Sequence, residues 1–360
     1  MTSQATRSET ATTPEVLERL WGAVIDGDEY AAVGTVFTAL DGGLAPESVL
    51  LELIAPVQRR IGAEWAANRL SVAQEHAATA INERVIAALA HHPDCRRIPD
   101  AGRVTVACVD GEWHALPARL LAEVLRLRGW QVDFLGAQVP TPHLIAHLHQ
   151  HGPDAVALSC SIPTRLPTAH AAITACQAAG VYVLAGGAAF GRDGRYARLL
   201  GADAWAPDAQ SAVECLSGDF PRVRFTSNHQ PIDDLPHLAD QEFTMVSRSA
   251  AQLVETTVGE LERRFPAMAG YTDAQRQHTV DDIAHIVDFL ATALYTDDDE
   301  LFTEFLVWTA GILNARGVPT ESLHPALDLL AAQLRDFPRT QRIIGAARTA
   351  LTDTKDEQRV

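Results

Sequence analysis

Asp110-Gly-Glu-Trp-His114 sets a carboxylate, Glu112, and an imidazole, His114, two residues apart just past an apolar run. An acid bonded to one imidazole nitrogen leaves the other as a neutral donor to a metal. The same pair is also ordinary on a solvated loop. Two further apolar runs end in unusual chemistry. Ser159-Cys160-Ser161-Ile162-Pro163-Thr164-Arg165-Leu166 offers small hydroxyls, and Ala185-Gly186-Gly187-Ala188 offers bare backbone against which a long ligand tail could run. Upstream, nine residues separate Trp65 from Glu75-His76. A tryptophan on one helix can meet an acid and an imidazole on the next. A core tryptophan beside an exposed Glu-His pair would read the same way.

The elements that must position these residues fall into three textures. Residues 14–95 show amphipathic helical patterns over Val16 to Ile25, Tyr30 to Leu40, Pro46 to Ala66 and Ser71 to Leu89, a helical bundle. Ser71 with Gln74 three residues on predicts a capping box. Residues 101–218 alternate short apolar runs with helical patterns. The runs near 104–109, 131–135, 155–159, 181–185 and 204–206 predict parallel strands covered on both faces. Such a doubly wound, Rossmann-like sheet binds ligands at the carboxyl ends of its strands, where all three loop segments lie. Residues 219–237 read as a linker and 238–353 as helices again, with a break near Pro338. The expected fold class is therefore multidomain, α and α/β, after a disordered N-terminus over 1–13.

Composition narrows the partners. The 360 residues carry a formal net charge of −17, which disfavours phosphate backbones and anionic lipid, so neither direct nucleic-acid nor membrane binding is expected. No apolar stretch reaches the ~20 residues of a membrane span, and the polar start lacks the apolar core of a secretory signal. Five widely spaced cysteines without a Cys-x-x-Cys pair indicate no disulfide framework and no zinc site. A reducing cytoplasm fits.

Taken together, the three strand-end segments resemble the cobalamin-binding domain, which has Asp/Glu-x-His-x-x-Gly after strand one, a Ser/Thr-rich segment after strand three and Gly-Gly after strand four. Glu112, Trp113 and His114 fill the first, Ser159 and Ser161 the second, Gly186 and Gly187 the third. The resemblance implies that His114 is the lower axial ligand of cobalt and that Glu112 orients it. It implies further that the nucleotide tail enters between Ser159 and Gly186, beside the segment ending at Leu166. Pro117 departs from the motif, where glycine is usual. The Trp65, Glu75, His76 spacing resembles the bundle of CarH-type adenosylcobalamin photoreceptors, in which the tryptophan shields the upper cobalt face. Some of that group carry a histidine directly after the tryptophan that captures cobalt after photolysis; here the position is Ala66. CarH-type repressors begin with a helix-turn-helix domain; here about a dozen polar residues precede the first helix, and with the net charge of −17 direct DNA repression is not expected.

The third segment resembles the globin-like sensor modules of bacterial signalling proteins, through Asp282 and His285 on one helix, Trp308 on the next and Asn314-Ala-Arg-Gly317 after it. A cobalamin photoreceptor joined to a degenerate globin resembles the photocobilin family. That resemblance implies a linear tetrapyrrole, biliverdin or a related bilin. With no cysteine after Cys215 it would be held non-covalently. Arg248, Arg263, Arg264, Arg276 and Arg316 are candidates for its propionates, and His278, Asp282 and His285 for its pyrrole nitrogens, with Trp308 nearby. The expectation is a light sensor, not an enzyme and without catalytic residues, passing its signal through a homo-oligomer or a downstream signalling protein. A corrinoid methyl carrier and a non-photochemical cobalamin sensor are the alternatives.

Overall fold

A computed structural model describes residues 13–218, 235–264, 268, 270–318, 320 and 323–357. Of the start expected to be disordered only Thr13 is described, and it opens the first helix. Most of the expected linker, 219–234, lies outside the described residues.

The first segment is built of α1 (Thr13–Ile25), α2 (Glu29–Asp41), α3 (Pro46–Ser48), α4 (Ala55–Ala66) and α5 (Val72–Leu89). Where the sequence predicts one α-helix from Pro46 to Ala66, a π-helical stretch occupies Val49–Ile54. Pro56 gives the physical reason. It has no N–H for the Glu52 carbonyl, and in an α turn its ring would strike that carbonyl. The wider turn removes the clash, and Ala55 N–H donates to the Leu50 carbonyl, five residues back. α5 starts on the expected capping box: Ser71 Oγ accepts from Gln74 N–H, and Gln74 Oε1 accepts from Ser71 N–H.

The second segment is a five-stranded sheet of β1 (Gly102–Cys108), β2 (Trp130–Gly136), β3 (Ala155–Ser159), β4 (Tyr182–Gly186) and β5 (Ala204–Ala206). All pairs are parallel, in the order β2-β1-β3-β4-β5. The helices between them are α6 (Ala115–Leu127), α7 (Thr141–His151), α8 (Leu166–Ala178) and α9 (Arg195–Leu199), with α10 (Ala209–Ser217) after β5. The strand order reverses between β1 and β3, which opens a crevice at their carboxyl ends. Alternate strand residues serve opposite faces. Val104, Val106, Cys108 and Ala157 pack under α6 and α10, while Ala107, Val156, Leu158 and Val183 pack toward α7 and α8.

α6 joins the bundle to the sheet. Its Leu116, Leu120 and Val124 complete the bundle core, while Ala118, Ala122 and Leu125 lie on the sheet. This one helix, preceded directly by His114, therefore fixes the bundle over the crevice.

The third segment comprises α11 (Glu242–Arg264), α12 (Asp273–Thr296), α13 (Asp299–Ala315), α14 (Leu323–Gln333) and α15 (Pro338–Glu357). Its Leu290, Phe302 and Leu306 share one apolar core with Leu158 and Val183 of the sheet. Polar contacts pin the junction: Tyr295 Oη lies 2.8 Å from His170 Nδ1, and Tyr196 Oη donates to Asp298 at 2.8 Å. No described helix is long and apolar enough to cross a membrane. All five cysteines are free thiols.

Candidate cofactor site

After β1 the chain turns through Asp110-Gly111 into the crevice and enters α6, with His114 as N-cap residue. Gly111 has φ +76°, and a Cβ there would lie 3.2 Å from the Arg165 guanidinium. Glu112 is wholly buried. Its Oε1 accepts from His114 N–H at 2.8 Å and faces His114 Nδ1 at 2.7 Å. Its Oε2 accepts from the N–H groups of Ser161 at 2.6 Å and Ile162 at 2.9 Å. Burial pushes the carboxyl up, but these four hydrogen bonds outweigh it and hold the pKa at about 2.

A carboxylate so held only accepts, so Nδ1 must carry the ring proton. In the neutral imidazole Nε2 then carries the lone pair, on a ring whose side chain is 47% exposed. A buried acid behind a half-exposed imidazole is the donor chemistry a single axial metal position requires, so these residues fit a cobalt corrinoid. Pro117 falls in the first turn of α6, where no backbone N–H is needed, so the departure from the motif leaves the helix intact.

Ser159 and Gly186 are register partners across β3 and β4, as a slot between them requires, and Ser159 is buried. Two neighbours behave differently from expectation. Gly187, at φ +102°, lies so close that a Cβ would sit 2.3 Å from the Cys160 carbonyl oxygen. Its missing side chain lets the strand ends close on each other. Leu166 is fully buried in the core, because it starts α8 on the face turned to the sheet. Ser161 acts through its backbone N–H on Glu112.

On the bundle, Trp65 sits at the end of α4, partly buried against the bundle core. Glu75 and His76 lie near the start of α5, with His76 Nδ1 2.7 Å from Glu75 Oε2. The His76 ring stands edge-on to Trp113 at 6.3 Å, and Trp113 is 5.3 Å from the His114 ring. Trp113, 57% exposed, thus connects the Glu-His pair of the bundle with the histidine loop of the sheet.

Three polar residues behind Glu75 escape the sequence reading. Asn82 Nδ2 donates to Gln58 Oε1 at 2.8 Å, Gln58 Nε2 to Thr79 Oγ1 at 2.7 Å, and Thr79 Oγ1 to Glu75 Oε1 at 2.9 Å. Every donor in this chain points toward the Glu75 carboxylate, so the bonds polarise one another. A signal was there: Asn82 interrupts the apolar stripe of Ala78, Ile81, Val85 and Ile86 on α5.

In the third segment His278, Asp282 and His285 share one face of α12 by their spacing of four and three. Burial pushes the Asp282 carboxyl up, opposed by His285, His278 and Arg316 nearby. Trp308, 52% exposed, lies 6.5 Å from Trp65, and the Arg316 guanidinium stands 5.4 Å from the Trp65 ring centre. Trp308 and Arg316 therefore gather on Trp65, and the charge of Arg316 reaches Asp282. Arg264 does not join them. It pairs with Glu260 one turn back on α11, as Arg263 does, and Arg276 pairs with Glu262. A separate cleft of about 640 Å³ between α11 and α12 is lined by Val254, Val258, Val280 and Ala284 together with Glu255, Glu262 and Asp288. It holds none of the expected bilin residues, and its carboxylates repel an anionic ligand.

Residues 102–216 match the family model of the B12 binding domain, and residues 16–90 match a second B12 binding domain model. Over 145 residues the chain is 32% identical to the HTH-type transcriptional repressor CarA of Myxococcus xanthus, covering 39% of this chain and 46% of CarA. The chain thus spans about half the length of that relative. It is 26% identical over 204 residues to dimethylamine corrinoid protein 1 of Methanosarcina acetivorans, covering 55% of this chain and 94% of that protein. The structure of the Methanosarcina barkeri monomethylamine corrinoid protein shares the fold, with a TM-score of 0.51 at 18% identity, over 57% of this chain and 99% of that one. The chain is a cobalamin-binding protein, with a helical bundle and a parallel sheet forming its binding module.

Proposed function

We propose that the chain is a cytoplasmic light sensor, with no enzymatic output, that holds adenosylcobalamin through His114 Nε2. Bound adenosylcobalamin would supply a cobalt–carbon bond that visible light breaks. Glu112 fixes the tautomer of the lower donor and aims it, Ser159 and Gly186 border the slot for the nucleotide tail, and Trp65 with Glu75 and His76 covers the upper side. Loss of the alkyl group would leave Trp65 free to repack, with the bundle on the sheet as the two-state element.

The observation that supports a sensor over a methyl carrier is the roof on Trp65. A carrier has to present its upper face to a methyltransferase. Here Trp308 and Arg316 of the third segment lie against the capping tryptophan. A globin-like third segment would hold a non-covalent bilin on this same side, with His278, Asp282 and His285 toward its pyrrole nitrogens and Arg316 toward a propionate. The signal would then pass to a homo-oligomer or a signalling partner. The second reading, a corrinoid methyl carrier, is favoured by the match over 94% of a dimethylamine corrinoid protein.

The test is the absorption spectrum of the protein mixed in darkness with adenosylcobalamin and biliverdin, then repeated after illumination. A light-dependent cobalamin change with a shifted red bilin band is expected. Bound cobalamin that is stable to light, with no bilin band, would select the carrier. His114→Ala should fold yet lose the histidine-ligated cobalamin spectrum.

A further inference from the structure

We propose that Arg316 couples the third segment to the cap: its guanidinium steadies Trp65, and a carboxylate-bearing ligand bound beside Asp282 withdraws it. This rests on the reading of Trp65 as the upper-face cap.

Arg316 is fixed at its backbone and free at its side chain. Its N–H closes α13 onto the Ile312 and Leu313 carbonyls, and Gly317, at φ +73°, ends the helix behind it. Among the described residues the guanidinium has no ion pair within 4 Å and no hydrogen bond; its close neighbour is the Trp65 ring, 5.4 Å from the ring centre. A cation over an indole at a partly exposed site is worth about a two- to five-fold effect on an equilibrium. A carboxylate offers the same guanidinium two parallel charge-assisted bonds, so a carboxylate ligand wins that competition.

The mechanical connection is short. Asn68, at φ +57°, ends α4 in the left-handed region, and its Nδ2 donates to the Ala315 carbonyl at 3.4 Å. Two consecutive residues of the third segment thus hold the end of α4, one by the peptide carbonyl and one by the guanidinium. Three residues past Asn68, Ser71 caps α5, which carries Glu75 and His76. Whatever moves Arg316 therefore acts on the helix end bearing Trp65 and on the turn that leads to the Glu-His pair. The charge of Arg316 also reaches Asp282, which shares one face of α12 with His278 and His285, and the ligand would lie there.

The experiment is amide hydrogen exchange, read by mass spectrometry over residues 67–70, on full-length cobalamin-free protein. Arg316→Gln should speed exchange there about three-fold, and Arg316→Lys, which keeps the charge, should fall between. Biliverdin should speed exchange in the wild type and do nothing further in Arg316→Gln. Biliverdin dimethyl ester, which lacks the carboxylates, should leave the wild type unchanged. Equal exchange in wild type and Arg316→Gln would overturn the coupling. Absence of a bilin band would instead sink the two-chromophore reading, while the comparison of variants still decides the role of Arg316.

Discussion

The two sides of the candidate site are built on opposite plans. Below, the donor His114 is held by a buried carboxylate that spends all its acceptor capacity on four hydrogen bonds from two loops. Above, Trp65, Glu75 and His76 stand on helix ends with partly or largely exposed side chains, and part of their support comes from a third segment. A metal donor must not move, because a small misplacement loses the bond. A cap that reports the loss of a ligand must move. On the proposed reading, the contrast would separate residues that bind from residues that respond.

Substitutions on the lower side should cost the most stability. Gly187→Ala puts a methyl group 2.3 Å from a backbone oxygen at φ +102°, and neither strand end can yield. A loss of about 3 kcal/mol or more is expected in chemical denaturation. Glu112→Gln should follow with about 3 kcal/mol at neutral pH, from the fall of its pKa from 4.5 to about 2 on folding. A depressed carboxyl stabilises fully above its unfolded value and progressively less as pH falls through its folded one. The gap between wild type and Glu112→Gln should therefore close between pH 4.5 and pH 2. A gap that persists at pH 2 would mean that shape, not charge, holds the loop.

The upper side should yield smaller stability changes and larger changes in response. Gln58→Leu removes the middle of the chain behind Glu75. It strands the amide of Asn82, which has no exposed surface and whose Oδ1 already lacks a hydrogen-bond partner among the described residues. About 1–3 kcal/mol is expected from thermal or urea unfolding. Adenosylcobalamin binding should weaken as well, because Thr79, whose hydroxyl donates to Glu75, loses the Gln58 amide that orients it. Unchanged affinity would remove Glu75 from the cap.

How far each side could be read from sequence follows the same division. The lower site is local: Glu112 and His114 are two residues apart, and strand-end chemistry on a doubly wound sheet has few places to go. The donors to Glu112 were less legible, since Ser161 and Ile162 contribute backbone N–H groups that any residue type would supply. Leu166, placed beside the site by its position in the segment, is buried in the core at the first turn of α8. The π-helical stretch was written in Pro56 and in the apolar run before it, but a proline near a helix start reads as permitted until the preceding turns are known to be helical. The gathering of Trp308 and Arg316 on Trp65 depends on contacts across some 240 positions, which no local pattern encodes.

The smallest effect tests whether the upper side is graded as described. Ser71→Ala leaves every core contact in place and removes only the hydroxyl that accepts from Gln74 N–H and is one of two donors to Gln74 Oε1. About 1 kcal/mol of stability should be lost. The first turn of α5 would fray, and Glu75 sits in that turn with His76 just behind it. Adenosylcobalamin should then bind more weakly or respond to light faster, while the histidine-ligated spectrum set by His114 stays the same. A changed lower-ligand spectrum would show that the two sides are not separable and that Trp113, between His76 and His114, transmits between them.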